Sequence, residues 1–146
     1  MSDDLALVDT NILVYALYQE SEHHEPCRQL LDQAQTGRIS LCTGAQNLSE
    51  FYAIVTDPRR TTTPHEPAEA MGVIGCILEM PGMTLLPTPS DVVQRWMALV
   101  QRNPVKRGAI FDLQLIATML GNGVRKIYTF NRSDFDLFEE IEVLVP

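Results

Sequence analysis

The chain has 146 residues, of which 45% are hydrophobic and 21% charged, and this length corresponds to about one domain. A chain of this size and composition can bury a sizeable core, which excludes fibrous and wholly disordered classes. The 19 acidic and 11 basic residues give a formal net charge of −8. This charge disfavours passive nucleic-acid binding, but it is compatible with an enzyme that gathers carboxylates around a metal.

Features that would direct the chain to a membrane or out of the cell are absent from the sequence pattern. No apolar run approaches the roughly 18 residues of a membrane span, and the first residues (MSDD) are acidic where a secretory signal is basic. Cys27, Cys42 and Cys76 are odd in number and form no CxxC pair, which predicts reduced thiols buried as small core residues. We therefore expect a cytoplasmic protein without a membrane anchor.

Short apolar runs alternate along the chain with segments of helical spacing. In chain order we predict strand 5–8, helices 12–18 and 22–37, strand 39–42, helix 44–56, a loop at 57–67, helix 68–79, strand 83–86, helices 90–102 and 109–121, and strands 126–129 and 143–145. Thr43 and Gln46 have the spacing of a capping box for the third helix, and Ser90 is the predicted cap of the fifth.

This alternation predicts an α/β protein with a mainly parallel sheet that is covered on both faces. Ligands of such sheets bind beyond the carboxyl ends of the strands. Asp9 directly follows the first predicted strand, and Asn131 and Asp134 follow the strand that ends at Thr129. Chemistry is therefore expected at this edge of the sheet.

Three carboxylates stand within apolar segments rather than in polar surroundings: Asp9, Glu50 and Asp112. Burial of an ionised carboxylate is costly unless it is paired or bound to a metal. If the three converge, a divalent cation offsets their repulsion, and all-oxygen ligation favours Mg²⁺ or Mn²⁺ over Zn²⁺. Spacing alone leaves a second interpretation open, in which they are separate helix caps and hydrogen-bonded core acids.

Four segments that contain these residues occur in a characteristic order: 7–16 (LVDTNILVYA), 48–52 (LSEFY), 111–117 (FDLQLIA) and 129–135 (TFNRSDF). In order and spacing they resemble PIN-domain ribonucleases of the kind found as VapC toxins in prokaryotic toxin–antitoxin pairs. The resemblance covers essentially the whole chain. It implies a single PIN domain over residues 1–146, with a three-layer α/β/α fold around a short, mainly parallel central sheet.

The resemblance also implies an acidic Mg²⁺ site. Asp9 and Asp112 match the usual direct ligands, and Glu50 matches a carboxylate that often acts through water. Asn131 stands where many relatives carry Asp, so it offers an amide oxygen without charge. Asp134 matches a further Asp of the family, and it either completes the site or only caps the loop.

Residues beside that site are candidates for contacting the substrate. Thr10 and Asn11 would lie next to the metal and orient ligands or phosphate, although Asn11 is equally suited to a helix cap. Asn131 is a further candidate. Among the basic residues, Arg59 and Arg60 in the predicted loop are the pair we favour for RNA, because that loop follows the helix of Glu50.

The implied activity is hydrolysis of phosphodiester bonds in structured RNA, tRNA or rRNA, by water activated at Mg²⁺. The family further implies a cognate antitoxin that covers the acidic cleft, and a homodimer. Alternatives are a housekeeping PIN nuclease and a catalytically inactive PIN-like binding module, the latter motivated by Asn131. A phosphatase of the haloacid dehalogenase type is disfavoured, because that class needs an Asp two positions after Asp9 and this chain has Asn11 there.

Overall fold

The computed structural model describes residues 4–146, so the first three residues of the acidic start lie outside it. The strands are β1 Ala6–Val8, β2 Leu41–Gly44, β3 Met83–Leu86, β4 Lys126–Tyr128 and β5 Glu142–Leu144. The α-helices are α1 Thr10–Leu17, α2 His24–Gln35, α3 Ala45–Val55, α4 Pro67–Glu79, α5 Val92–Arg102 and α6 Ile110–Gly121. Short 3₁₀ turns cover Arg107–Ala109 and Arg132–Asp134.

The strands form one sheet in the order β3-β2-β1-β4-β5, and all of its neighbouring strands are parallel. Side chains of β1 alternate between the two faces, as strand geometry requires. Ala6 and Val8 pack in a core that also contains residues of α1 to α4, whereas Leu7 packs in a second core with residues of α5 and α6. The predicted three-layer α/β/α architecture is confirmed.

The predicted elements are all present, but several predicted caps are wrong. Strand β2 continues to Gly44, so Thr43 is a strand residue, and the Gly44 N–H instead donates to Asn47 Oδ1 at 3.1 Å. Helix α5 begins after Asp91 without a side-chain cap, so Ser90 does not cap it. Helix α1 begins one residue after Asp9, which places Asn11 inside the first turn rather than at the cap.

Two of the three cysteines occupy the predicted core positions. Cys27 and Cys42 are buried, and burial raises the pKa of their thiols to about 11 and about 12. Cys76 is exposed on α4, so the prediction of a buried thiol is wrong there. In the part of the chain that the structure describes, every helix is too short or too polar to traverse a lipid bilayer.

Candidate active site

A cleft of about 420 Å³ opens beyond the carboxyl ends of β1 and β4. We call it the carboxylate cleft. Its lining comprises Asp9, Thr10, Asn11, Val14, Tyr15, Glu50, Ile54, Arg60, Asp112 and Asn131. Seven of the nine residues predicted from the sequence are therefore brought together. Arg59 and Asp134 are the two that do not line the cleft.

Asp9 is held in place by the backbone and by one side chain from the neighbouring strand. It is 8% exposed and caps α1, with its Oδ1 accepting a hydrogen bond from the Thr10 N–H at 2.8 Å. Its Oδ2 accepts from the Thr129 hydroxyl at 2.8 Å. Val8 pairs with Tyr128, so strand register makes the next residues, Asp9 and Thr129, direct neighbours.

Thr129 is a site residue that the sequence did not single out. Its hydroxyl oxygen also accepts from the Asn131 N–H at 3.0 Å and from Asn11 Nδ2 at 3.4 Å. The Thr129 hydroxyl therefore donates its proton to Asp9. Its oxygen accepts the two hydrogen bonds from Asn131 and Asn11, which holds these two cleft residues in place. The available signal was a Thr at the end of a predicted strand, two positions before Asn131.

Glu50 is exposed, although its sequence neighbours are apolar, because the buried positions of α3 are Asn47, Phe51 and Val55 and Glu50 lies beside that stripe. Its Oε2 accepts from the Thr10 hydroxyl at 3.1 Å. The interpretation of Glu50 as a buried carboxylate is thus wrong, whereas its place in the cleft agrees with the prediction.

The amide of Gln46 joins the two helices that carry Glu50 and Asp112. Its Nε2 donates to Glu50 Oε1 at 3.3 Å and to the Phe111 carbonyl at 2.9 Å. Gln114 Nε2 in turn donates to Gln46 Oε1 at 3.2 Å. Phe111 and Gln114 flank Asp112 on α6, so these contacts set the distance between α3 and α6 next to that carboxylate. In the sequence, only the i,i+4 spacing of Gln46 and Glu50 indicated such a contact.

The carboxylates repel one another. Burial, followed by the charges of Asp134, Asp9 and Glu50, raises the pKa of Asp112 from 3.8 to about 6. Burial is also the largest cause that raises the pKa of Asp9, against the hydrogen bonds from Thr129 and Thr10 that lower it. Although Asp134 is exposed and outside the cleft lining, its charge acts on both.

The donor set fits a hard divalent cation. None of the ion pairs among residues 4–146 involves Asp9, Glu50 or Asp112. The Oδ1 atom of Asn11 is buried and accepts no hydrogen bond within the same residues. Also within them, no three His, Cys, Asp or Glu side chains stand in an arrangement that could by itself hold a metal. Mg²⁺ usually binds through one or two carboxylates and keeps several waters, so it needs no such cluster.

The two arginines of the loop after α3 have different roles. Arg59 Nε lies 3.2 Å from Asp57 Oδ1, and this hydrogen-bonded pair lowers the pKa of Asp57. Arg60 lines the carboxylate cleft instead. Of the pair predicted to bind RNA, only Arg60 therefore lies at the carboxylate cleft.

Comparison with known proteins places this site in a family. Residues 6–141 match the PIN domain family. Ribonuclease VapC24 of Mycobacterium tuberculosis (strain CDC 1551 / Oshkosh) is 28% identical over 131 residues, which cover 90% of this chain and 89% of that protein.

Solved structures share the fold at lower identity. VapC20 of Mycobacterium tuberculosis, a sarcin-ricin loop cleaving toxin, has a TM-score of 0.67 at 15% identity, over 94% of this chain and 98% of that chain. VapBC2 from Rickettsia felis, bound to a DNA fragment from its promoter, has a TM-score of 0.66 at 12% identity, over 97% of this chain and 98% of that chain. VapBC-1 from nontypeable Haemophilus influenzae has a TM-score of 0.66 at 11% identity, over 97% of each chain. The chain belongs to the PIN domain family, as the order of its four motifs predicts.

Proposed function

We propose that this chain is a VapC-type toxin that acts as an Mg²⁺-dependent endoribonuclease. The observation that carries the proposal is the convergence of Asp9, Glu50 and Asp112 in one cleft, each from a different helix or helix cap. Their repulsion is offset by no ion pair within residues 4–146. The relative named Ribonuclease VapC24 supports the activity.

In the proposed site, Asp9 and Asp112 would be the direct ligands of the cation, Glu50 would act through water, and the amide oxygen of Asn131 or the charge of Asp134 would complete the site. Bound Mg²⁺ supplies Lewis-acid activation of the scissile phosphate and of water. The hydrogen bond from Thr10 orients the Glu50 carboxylate.

We propose that Glu50 accepts the proton of the attacking water, and its exposure and its position in the cleft lining support this role. Water adds to phosphorus as the bond to the 3′-oxygen breaks, and that oxygen takes a proton from solvent. The products carry a 5′-phosphate and a 3′-hydroxyl. Arg60 binds the phosphate through its guanidinium group.

For the substrate we propose single-stranded loops of tRNA or rRNA, where unpaired bases are accessible. The description of VapC20 as a sarcin-ricin loop cleaving toxin supports this class. An antitoxin is the proposed partner, supported by the VapBC complexes of the same fold and by the acidity of this chain. A homodimer, a cytoplasmic location and a single domain over residues 1–146 remain predictions.

The test is cleavage of total tRNA and rRNA by the purified, antitoxin-free protein in Mg²⁺, in Mn²⁺ and in EDTA. We expect discrete metal-dependent cuts that Asp9→Asn and Asp112→Asn each reduce by at least about a thousandfold. Asp32→Asn is the matched control, because Asp32 is an exposed carboxylate paired with Arg28 on α2.

Cuts that survive in Asp9→Asn and Asp112→Asn would reject the assignment of the site. A folded wild-type protein that cuts neither RNA class with either metal would favour the inactive binding module, as Asn131 in the cleft suggests. A housekeeping nuclease would share the cleft and cut RNA but bind no antitoxin, so pull-down from the source cells distinguishes it.

A further inference from the structure

Three aromatic rings contact one another beside the carboxylate cleft and have no role in the mechanism above. The rings of His23 and Phe130 are stacked, with centroids 4.2 Å apart and planes inclined by 23°. The Tyr15 ring contacts Phe130 edge-on, with ring centroids 5.6 Å apart, and its centroid lies 5.2 Å from that of His23. We call these three residues the ring stack.

The ring stack is continuous with the carboxylate cleft. Tyr15 itself lines the cleft, and Phe130 lies between Thr129, which holds Asp9, and Asn131, another lining residue. His23 is the third ring, and 36% of its side chain is exposed. A molecule bound in the carboxylate cleft is therefore within reach of Tyr15, whose ring contacts those of His23 and Phe130.

Besides its ring contacts, the His23 imidazole has a polar neighbour in the exposed Glu22, whose Oε1 lies 3.4 Å from His23 Nε2. His23 occupies the position before α2, yet its side chain makes no capping hydrogen bond there. Its backbone N–H donates to Ser21 Oγ, so that contact does not depend on the imidazole. The neighbouring His24 makes the structural contact, between its Nδ1 and the Tyr15 carbonyl oxygen at 2.9 Å.

We propose that the ring stack binds an unpaired nucleobase of the RNA strand whose phosphate lies in the carboxylate cleft. The proposal rests on the ribonuclease function proposed above. Unpaired bases stack on aromatic and histidine side chains in proteins that bind single-stranded RNA.

The charge of the cleft supports this assignment. The described residues that line it include three carboxylates and one guanidinium, that of Arg60. Neutralisation of phosphates in the cleft therefore relies on Arg60 alone among these lining residues and supplies only part of the affinity. Stacking needs no positive charge, so the ring stack is a second feature beside the cleft that can hold the strand.

The test measures binding of two labelled probes by fluorescence anisotropy: a short single-stranded RNA, and a chain of the same length made of abasic ribose phosphates. All proteins carry Asp112→Asn so that the RNA is not cut. His23→Ala removes the outer ring, His23→Phe keeps a flat ring, and His23→Leu keeps apolar bulk without one. Arg60→Ala reports the phosphate contact, and thermal denaturation of each variant reports the fold.

We expect His23→Ala and His23→Leu to weaken binding of the RNA probe by about fivefold to a hundredfold, the usual range for loss of one stacked base. His23→Phe restores the affinity. Binding of the abasic probe is unchanged by all three substitutions, whereas Arg60→Ala weakens binding of both probes.

Three outcomes would overturn the inference. If His23→Ala weakens binding of the RNA probe and the abasic probe equally, His23 acts through charge or through the fold and not by stacking on a base. RNA binding that depends on Arg60 but not on His23 would leave the ribonuclease proposal intact and assign the ring stack to fold stability or a protein contact. Failure of the Asp112→Asn protein to bind either probe would remove this inference, whereas the proposed function is tested separately by the metal-dependent cleavage assay on the wild type.

Discussion

Carboxylates in two regions of this molecule experience opposite environments. At the surface, hydrogen bonds from Arg59 and Arg102 lower the pKa values of Asp57 and Glu140. In the carboxylate cleft, burial and neighbouring negative charge raise those of Asp9 and Asp112. In these pairs the arginines are exposed and the carboxylates half-buried, so solvent screens the attraction and the pairs contribute little to stability.

The cleft carboxylates oppose folding, because burial and mutual repulsion both disfavour their ionised forms. The hydrogen bonds that Asp9 accepts from Thr10 and Thr129 offset part of that cost. The cleft carboxylates thus reduce stability instead of adding to it, which agrees with the cation site proposed above. Three changes test this contrast, in decreasing order of expected effect.

Thr129→Val removes the side-chain hydrogen bond to Asp9 and should have the largest effect of the three on stability. It leaves a buried carboxylate oxygen without its donor, which costs about 1–3 kcal/mol of unfolding free energy. We also expect cleavage to fall by about tenfold to a hundredfold, as for other residues that orient metal ligands. Denaturant unfolding and the RNA cleavage assay measure the two effects.

Thr43→Val is the matched control for that change. Thr43 is equally buried, and within residues 4–146 its hydroxyl has no hydrogen-bond partner. Its replacement should leave stability unchanged or increase it, with no loss of cleavage. Similar losses of stability and cleavage in the two variants would show that the Thr129 side chain contributes through its buried volume and not through its hydrogen bond.

Asp112→Asn should change how stability depends on pH in EDTA. The folded-state pKa of about 6 exceeds the ordinary value of 3.8, so the folded wild type binds the proton more tightly than the unfolded chain. Its melting temperature should therefore fall as pH rises from about 4 to about 6, and stay low above that.

The Asn variant should lack this part of the fall and melt at a higher temperature at pH 7, because it carries no charge to repel Asp9 and Glu50. Adding Mg²⁺ at pH 7 should raise the melting temperature of the wild type more than that of the variant. Identical pH profiles for the two proteins in EDTA would contradict the repulsion described for the cleft.

Gln46→Ala should have the smallest effect, since it removes a bridge rather than a ligand. Without the amide between Glu50 and the Phe111 carbonyl, α3 and α6 are less firmly spaced. We expect the Mg²⁺ concentration for half-maximal cleavage to rise by about tenfold.

Gln29→Ala is the control for Gln46, because Gln29 makes the same i,i+4 contact with Glu25 on α2. It should leave the Mg²⁺ requirement unchanged. A rise of equal size in both variants would assign the effect to helix stability instead of to the spacing of the carboxylates.

Local pattern was sufficient for much of the fold. Apolar runs and helical periodicity are short-range properties, so strand β3 was predicted at its exact bounds and the remaining elements within a few residues. The caps at Thr43 and Ser90 failed because a shift of one residue at an element's end changes which backbone N–H is free. Glu50 was misjudged for burial because its flanking residues do not decide which side of α3 it faces.

The sequence by itself determined that Asp9, Glu50 and Asp112 are the carboxylates to consider, because each is a charge in an apolar segment and their order is characteristic of the PIN domain. Only the tertiary structure decided what surrounds them. Thr129 reaches Asp9 across 120 positions through strand register, and Arg60 rather than Arg59 enters the cleft. Such contacts depend on how distant elements pack, and a single sequence carries no local signal for that.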